Sequence, residues 1–296
     1  MNIGIIGQGF VGTAIYEGLR NFYHIETYDI VESKSSTTLE KLVISADIIF
    51  QCLPTPMKKT GECDLSIVEN SLENIDLLSH KLERNPIVVV KSTVPPGACE
   101  RLNKMYEKID IVFSPEFLTE ANSIDDFKNQ SRIILGGEKE HTFRVKQMFY
   151  KCFPKVPIIR TDFKTAEMVK YFTNNLLSTK ISFANEMYEI CLKLGIDYDK
   201  VSELTLYDSR IGKTHLMVPG PDGDFGFGGH CFPKDLAAMI YVAKNLGVEP
   251  SMLESTREIN EQWNFQTIKS GPRSRDDGST RVINESDRHS AYLEGL

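Results

Sequence analysis

The sequence predicts an α/β chain: a mainly parallel sheet domain, then a long helix opening a smaller, all-helical domain. Three observations predict it. Short apolar runs alternate with helix-like stretches through about the first 165 residues. A glycine-rich turn, Gly7-Gln-Gly9-Phe-Val-Gly12, directly follows the first of these runs. From Ala166 to Leu194, apolar residues recur at helical spacing with neither Gly nor Pro among them.

The elements follow in order. Residues 2–6 read as a buried strand and 13–20 as the helix after the turn. A second strand, 24–29, ends in Asp29. Further apolar runs at 47–53, 86–91, 109–113 and 132–135 read as strands, with helices at 65–82 and 97–106. The helix over 166–194 breaks at Gly195-Ile-Asp, and 198–206 reads as another. After a glycine-rich loop come helices at 233–245 and 251–263. From about Gln266 to Leu296 the chain is mostly polar and reads as poorly ordered. The predicted domains are 1–165, 166–265 and a tail, 266–296.

With 296 residues and 41% hydrophobic content the chain can bury a sizeable core. The net charge of −7 argues against general binding to nucleic acid or anionic membranes. No apolar run is long enough to span a bilayer. Met1-Asn-Ile-Gly-Ile-Ile-Gly7 has neither a basic start nor a small-residue cleavage site. Six scattered cysteines (52, 63, 99, 152, 191 and 231) lack CxxC spacing. They predict reduced thiols in a cytoplasmic protein, and no metal site.

The glycine turn has the context of a Rossmann-like dinucleotide fingerprint: strand before, helix after, acid at the end of the next strand. Gly7 permits the tight turn, Gly9 the approach of a pyrophosphate, and Gly12 close helix packing. Phe10 and Val11 lie in the turn just ahead of the helix, whose N-terminus favours the phosphate charge. Asp29 can accept from a ribose diol and would repel a 2′-phosphate, favouring NAD over NADP. Lys34 weakens that exclusion slightly. The alternative is a glycine turn in an α/β domain that binds no dinucleotide.

Ligands of such a sheet sit beyond the carboxyl ends of its strands. The segments leaving those ends are 53–56, with Pro54 and Thr55, then 91–97, with Thr93, and 114–120. Glu116 and Glu120 are four apart, so a helical turn would place them on one face for proton work. They could equally form a solvated acidic turn. Lys170 and Asn174 share a face of the long helix and could steady an oxyanion, or simply belong to a polar face with Glu167 and Asn175.

The loop Asp224-Phe-Gly-Phe-Gly-Gly-His-Cys-Phe-Pro-Lys-Asp235 places one thiol among glycines. Pro233 suits a first helical turn, so Cys231 should sit at a helix N-terminus. The helix dipole there favours the thiolate, with His230 and Lys234 as further positive charge. Asp235 falls one turn on. This suits a covalent nucleophile; an incidental cysteine in a turn is the alternative.

Together these motifs resemble the UDP-glucose/GDP-mannose dehydrogenase family. The fingerprint, Ser92-Thr-Val-Pro-Pro-Gly97, Ser114-Pro-Glu-Phe-Leu-Thr-Glu120, Lys170 with Asn174, and the cysteine loop match in order and approximate spacing, across about residues 1–265. The Gly-Phe-Gly-Gly-x-Cys wording is most similar to UDP-glucose 6-dehydrogenases. The resemblance implies a four-electron, NAD-dependent oxidation of UDP-glucose to UDP-glucuronate, a polysaccharide precursor. It implies that Cys231 is the nucleophile, forming a thiohemiacetal and then a thioester. Lys170 and Asn174 would steady the oxyanion, and Asp235 and Thr93 would hold a water. Glu120 would assist thioester hydrolysis, with Glu116, Phe117 and Leu118 at the same site. The backbone at Phe225, Gly228 and Gly229 would cradle the sugar. Arg210 would reach the substrate of a neighbouring subunit, the long helix forming the core of a homodimer.

Family members usually continue into a third, Rossmann-like domain that helps bind the UDP moiety, whereas no strand–helix alternation follows Trp263. Two further readings stay open beside another nucleotide sugar such as GDP-mannose. One is an NAD-binding remnant without turnover. The other is a two-electron β-hydroxyacid dehydrogenase, which has no need of Cys231.

Overall fold

The structure, a computed structural model, describes residues 1–270. The expectation of a poorly ordered tail lies, from residue 271 onward, outside the described residues. The chain divides into two compact units, the first ending at Phe172 and the second beginning at Thr173.

The first unit is an α/β sheet layer. Its elements are β1 (Asn2–Ile6), α1 (Phe10–Leu19), β2 (His24–Tyr28), a 3-10 turn (Glu32–Lys34), α2 (Leu39–Ser45) and β3 (Ile48–Gln51). They continue with α3 (Ser66–Leu82), β4 (Ile87–Val90), α4 (Ala98–Met105), β5 (Asp110–Phe113) and α5 (Ser123–Lys128). β6 (Ile133–Gly137), α6 (Lys139–Cys152), β7 (Ile158–Thr161) and α7 (Phe163–Leu194) complete it, the unit boundary falling within α7. The seven strands run β2-β1-β3-β4-β5-β6-β7. All neighbours pair in parallel except β5 and β6.

The continuous apolar reading of the strands has a simple cause. Successive residues of a strand face opposite ways, and here both faces are covered. Val88 and Val90 of β4 join one core with Leu42, Leu72 and Ile111. Ile87 and Val89 join the other, with Ile15, Phe50 and Phe149. β7 was not predicted. Its sequence Ile-Ile-Arg-Thr is only partly buried, so it lacks the apolar run that marks the inner strands.

The second unit is helical, as expected. After α7 come α8 (Tyr198–Thr205), α9 (Phe232–Asn245) and α10 (Ser251–Ser270), which runs past the predicted end at Trp263. Asp197 caps α8 by accepting from the N–H groups of Asp199 and Lys200. Ala184, Cys191, Tyr198, Val218, Phe225 and Trp263 form a shared core, where Phe225 stacks on Trp263 at 5.4 Å. Among the described residues, no helix is long and apolar enough to cross a membrane.

One buried carboxylate fastens α7 to the start of α4. Glu167 is 0% exposed and accepts from the N–H groups of Gly97 at 2.5 Å and Cys99 at 2.7 Å. Burial pushes its pKa up to about 6, and the two backbone bonds only partly counter this. A folded-state pKa above the ordinary 4.5 means the folded chain binds the proton more tightly. The resulting stability is full below that ordinary value and is lost as pH rises through about 6. Glu167→Gln should therefore remove this loss. Urea unfolding at about pH 5 and about pH 7 should show wild type losing more stability over that interval than the variant does.

Candidate functional site

The glycine turn lies where the chain order reverses, between β1 and β3, the place where doubly wound sheets bind ligands. Gly7 has φ +90°, and a Cβ there would lie 2.3 Å from the Cys52 carbonyl oxygen, so only glycine lets the turn meet the end of β3. A Cβ on Gly12 would lie 1.9 Å from the Gly7 oxygen. Gly9 is different: a Cβ there would meet nothing within 4 Å. Gly9 is also the N-cap of α1 and offers no side-chain cap. The turn thus presents open space before the start of a helix, which fits a pyrophosphate.

Asp29 stands beside this turn. Its carboxylate accepts from Gln8 N at 2.7 Å and from Val31 N at 2.9 Å. Burial opposes the charge, but these bonds and Lys34 outweigh it and hold the carboxyl below its usual range. An ionised Asp29 suits a ribose diol. Lys34 reaches the Gln8 carbonyl at 3.4 Å. Phe10 and Val11 are half-buried at the start of α1. Pro54 is exposed, whereas Thr55 is buried and donates to the Thr93 carbonyl at 2.9 Å. Ser92 Oγ donates to the Leu53 carbonyl at 2.6 Å, so the loops after β3 and β4 are tied together.

The loop after β5 corrects one expectation. Residues 114–119 are not helical, so Glu116 and Glu120 do not share a helix face. Glu116 is buried and Glu120 is exposed. The cause is local. Glu116 Oε1 takes the N–H groups of Phe117 at 2.5 Å and Leu118 at 2.8 Å, which folds the chain into a turn around its own side chain. Lys170 donates from Nζ to the Glu116 carbonyl, and Lys91 lies 3.6 Å from Glu116 Oε2. Arg132 covers the Phe117 ring at 4.3 Å. Lys91, Arg132 and residues 115–119 are among those lining a cavity of about 310 Å³.

In the second unit, Cys231 is the N-cap residue of α9, with Pro233 in the first turn, as the sequence predicts. It is the exposed member of the six cysteines. Burial pushes the thiols of Cys52 and Cys152 up to about 12 and about 11, leaving them protonated and inert. Asp235 N donates to the Cys231 carbonyl at 2.9 Å, one turn along. The Asp235 carboxylate is 1% exposed and accepts from Asn174 Nδ2 at 2.6 Å. Its other oxygen lies 2.5 Å from Lys234 Nζ. Lys234 therefore neutralises Asp235, a role the sequence reading did not give it. Asn174 lies one turn after Lys170 on α7.

The glycine loop is held by side chains that sequence reasoning missed. Asn260 of α10 accepts from Phe227 N at 2.6 Å and donates to Phe227 O at 2.9 Å. Asn185 of α7 accepts from Gly226 N at 3.1 Å. No local pattern marks either asparagine. Phe225 packs into the core, while Gly228 and Gly229 are exposed. Arg210 is exposed in a separate turn, paired with Asp208 at 2.5 Å. Among the described residues, no group of three His, Cys, Asp or Glu could hold a metal ion.

Fold and turn define a dinucleotide-binding α/β protein with an appended helical unit. Residues 24–154 match the NAD binding domain of the UDP-glucose/GDP-mannose dehydrogenase family, and residues 164–262 match its central domain. The chain belongs to the UDP-glucose/GDP-mannose dehydrogenase family, and its cofactor is NAD. It is 36% identical over 231 residues to UDP-glucose 6-dehydrogenase TuaD of Bacillus subtilis, covering 76% of this chain and 48% of that protein. It is 34% identical over 254 residues to UDP-glucose 6-dehydrogenase of Rickettsia bellii, covering 84% and 57%. The chain thus spans about half the length of these curated relatives. A UDP-glucose dehydrogenase structure from Pyrobaculum islandicum matches with a TM-score of 0.81 at 28% identity, covering 90% of this chain and 69% of that one.

Asn260→Ala would strip a buried backbone N–H and C=O of their partners, at about 1–3 kcal/mol for an unsatisfied group. Thermal unfolding should show the loss, and amide exchange should accelerate first in the loop around Phe227.

Proposed function

We propose that the chain oxidises UDP-glucose to UDP-glucuronate in two NAD-dependent steps, with Cys231 as covalent nucleophile. The observation that carries this reading is the exposed thiol capping α9 in a glycine loop, in a chain of this family. NAD, held by Gly7, Gly9, Gly12 and Asp29 with Phe10, Val11, Lys34, Pro54, Thr55 and Thr93 nearby, supplies the hydride acceptor when bound. An aldehyde carries no readily lost hydride until a nucleophile adds to it. The Cys231 thiolate adds to the C6 aldehyde, giving a thiohemiacetal whose oxidation leaves a thioester. Water cleaves the thioester to the carboxylate and returns the thiol.

The surrounding groups have roles suited to their chemistry. Lys170 and Asn174 steady the oxyanion. Asp235, whose carboxylate Asn174 and Lys234 orient, assists proton transfer through a water, together with Thr93. Glu120, exposed, assists hydrolysis. Glu116, Phe117 and Leu118 contact the substrate, as do the backbone at Phe225, Gly228 and Gly229. Arg210 extends toward a second subunit. A homodimer is supported by one stripe of α7, where Leu176, Phe183, Ile190 and Leu194 are exposed at helical spacing.

Two experiments test this reading. With excess NAD, wild type should form two NADH per UDP-glucose consumed, and Cys231→Ser should lower UDP-glucuronate formation by roughly 10³-fold or more. One NADH per sugar would indicate a two-electron dehydrogenase. NAD binding without turnover would indicate a cofactor-binding chain or a different nucleotide sugar, with GDP-mannose tried next. Separately, Phe183→Glu should shift the mass measured by light scattering from dimer to monomer.

A further inference from the structure

We infer that Lys91 is a positioning residue that holds segment 114–118 in the shape that receives the nucleotide sugar, an inference that rests on the reading above. The segment follows β5 and has no regular secondary structure, so side chains must fix its backbone. Lys91 enters it from the end of β4 and is 7% exposed. Its ammonium has three protons and meets three acceptors: Ser114 Oγ at 3.3 Å, the Pro115 carbonyl at 3.2 Å, and Glu116 Oε2 at 3.6 Å.

Glu116 is 8% exposed and transmits this restraint. One carboxylate oxygen faces Lys91, and the other collects the N–H groups of Phe117 and Leu118. The Glu116 carbonyl accepts from Lys170. A buried carboxylate that loses its cation is strongly destabilised. Without Lys91, Glu116 would turn toward water and release both amides. The residues that change shape are then those proposed to touch the sugar nucleotide, although Lys91 acts only through them. The glycine turn is braced separately, by Asp29 on Gln8 and Val31, so NAD binding should not follow.

The test is Lys91→Met in the full chain, which keeps the length of the side chain and removes the charge. Amide exchange across 114–119 should accelerate about tenfold or more, while β4 amides stay as slow as in wild type. KM for UDP-glucose should rise about tenfold, with kcat changed less than about threefold and KM for NAD less than about twofold. Lys91→Arg, which keeps the charge, should recover part of both effects. Unchanged exchange at 114–119, or equal loss of protection in β4, would overturn the inference. So would a fall in kcat with KM unchanged. Should Lys91→Met fail to fold, Glu116→Gln, which removes the partner charge, is read instead: faster exchange at 114–119 with β4 unchanged supports the inference, and unchanged exchange at 114–119 overturns it. If wild type does not turn over UDP-glucose, the functional reading fails, and the exchange data alone decide whether Lys91 shapes the segment.

Discussion

The parallel pairing of β1 with both β2 and β3 is the constraint on which the first unit depends. Parallel neighbours send their carboxyl ends to one edge of the sheet, and each connection must return by a crossover. The chain therefore delivers the glycine turn, Asp29 and the loops after β3, β4 and β5 to the same edge. The reversal of strand order on either side of β1 opens space there. Gly7 converts that topology into contact, since its turn meets the Cys52 carbonyl at a distance no side chain would allow.

Irregular backbone carries most of the chemistry-bearing residues in both units, and in both it is fixed by buried polar side chains. Glu167 takes two backbone N–H groups at the start of α4. Glu116 takes two more within its own loop, and Asn260 satisfies both polar groups of Phe227. Such groups stay buried only when bonded, so each one excludes alternative loop conformations. The loop around Cys231 is glycine-rich in sequence yet anchored at Phe225, Gly226 and Phe227. Its exposed stretch is short: Gly228, Gly229 and His230, just ahead of the thiol.

What could be read from the sequence was what local rules encode. The buried strands announced themselves because both faces are covered, as in Ile87 to Val90. Cys231 was placed by Pro233, and the long helix by its lack of breakers. β7 escaped because its Ile159 and Arg160 are exposed, so Ile-Ile-Arg-Thr makes no apolar run. The spacing of Glu116 and Glu120 misled because four residues imply one face only inside a helix, and 114–119 is irregular backbone whose Glu116 carbonyl accepts from Lys170. Lys91, Asn185 and Asn260 act through partners 23 to 41 residues away, so no window of sequence contains the interaction.

The brace on Asp29 has a consequence for engineering coenzyme choice. Acceptance of a 2′-phosphate would ordinarily begin with replacement of that acid by a neutral or basic residue. Here the same carboxylate anchors Gln8 and Val31, so the replacement also frees one backbone amide in the glycine turn and one in the chain after β2. On the proposed reading, one side chain would both refuse the 2′-phosphate and hold the backbone beside the turn. A successful swap would need a second change that re-anchors those amides.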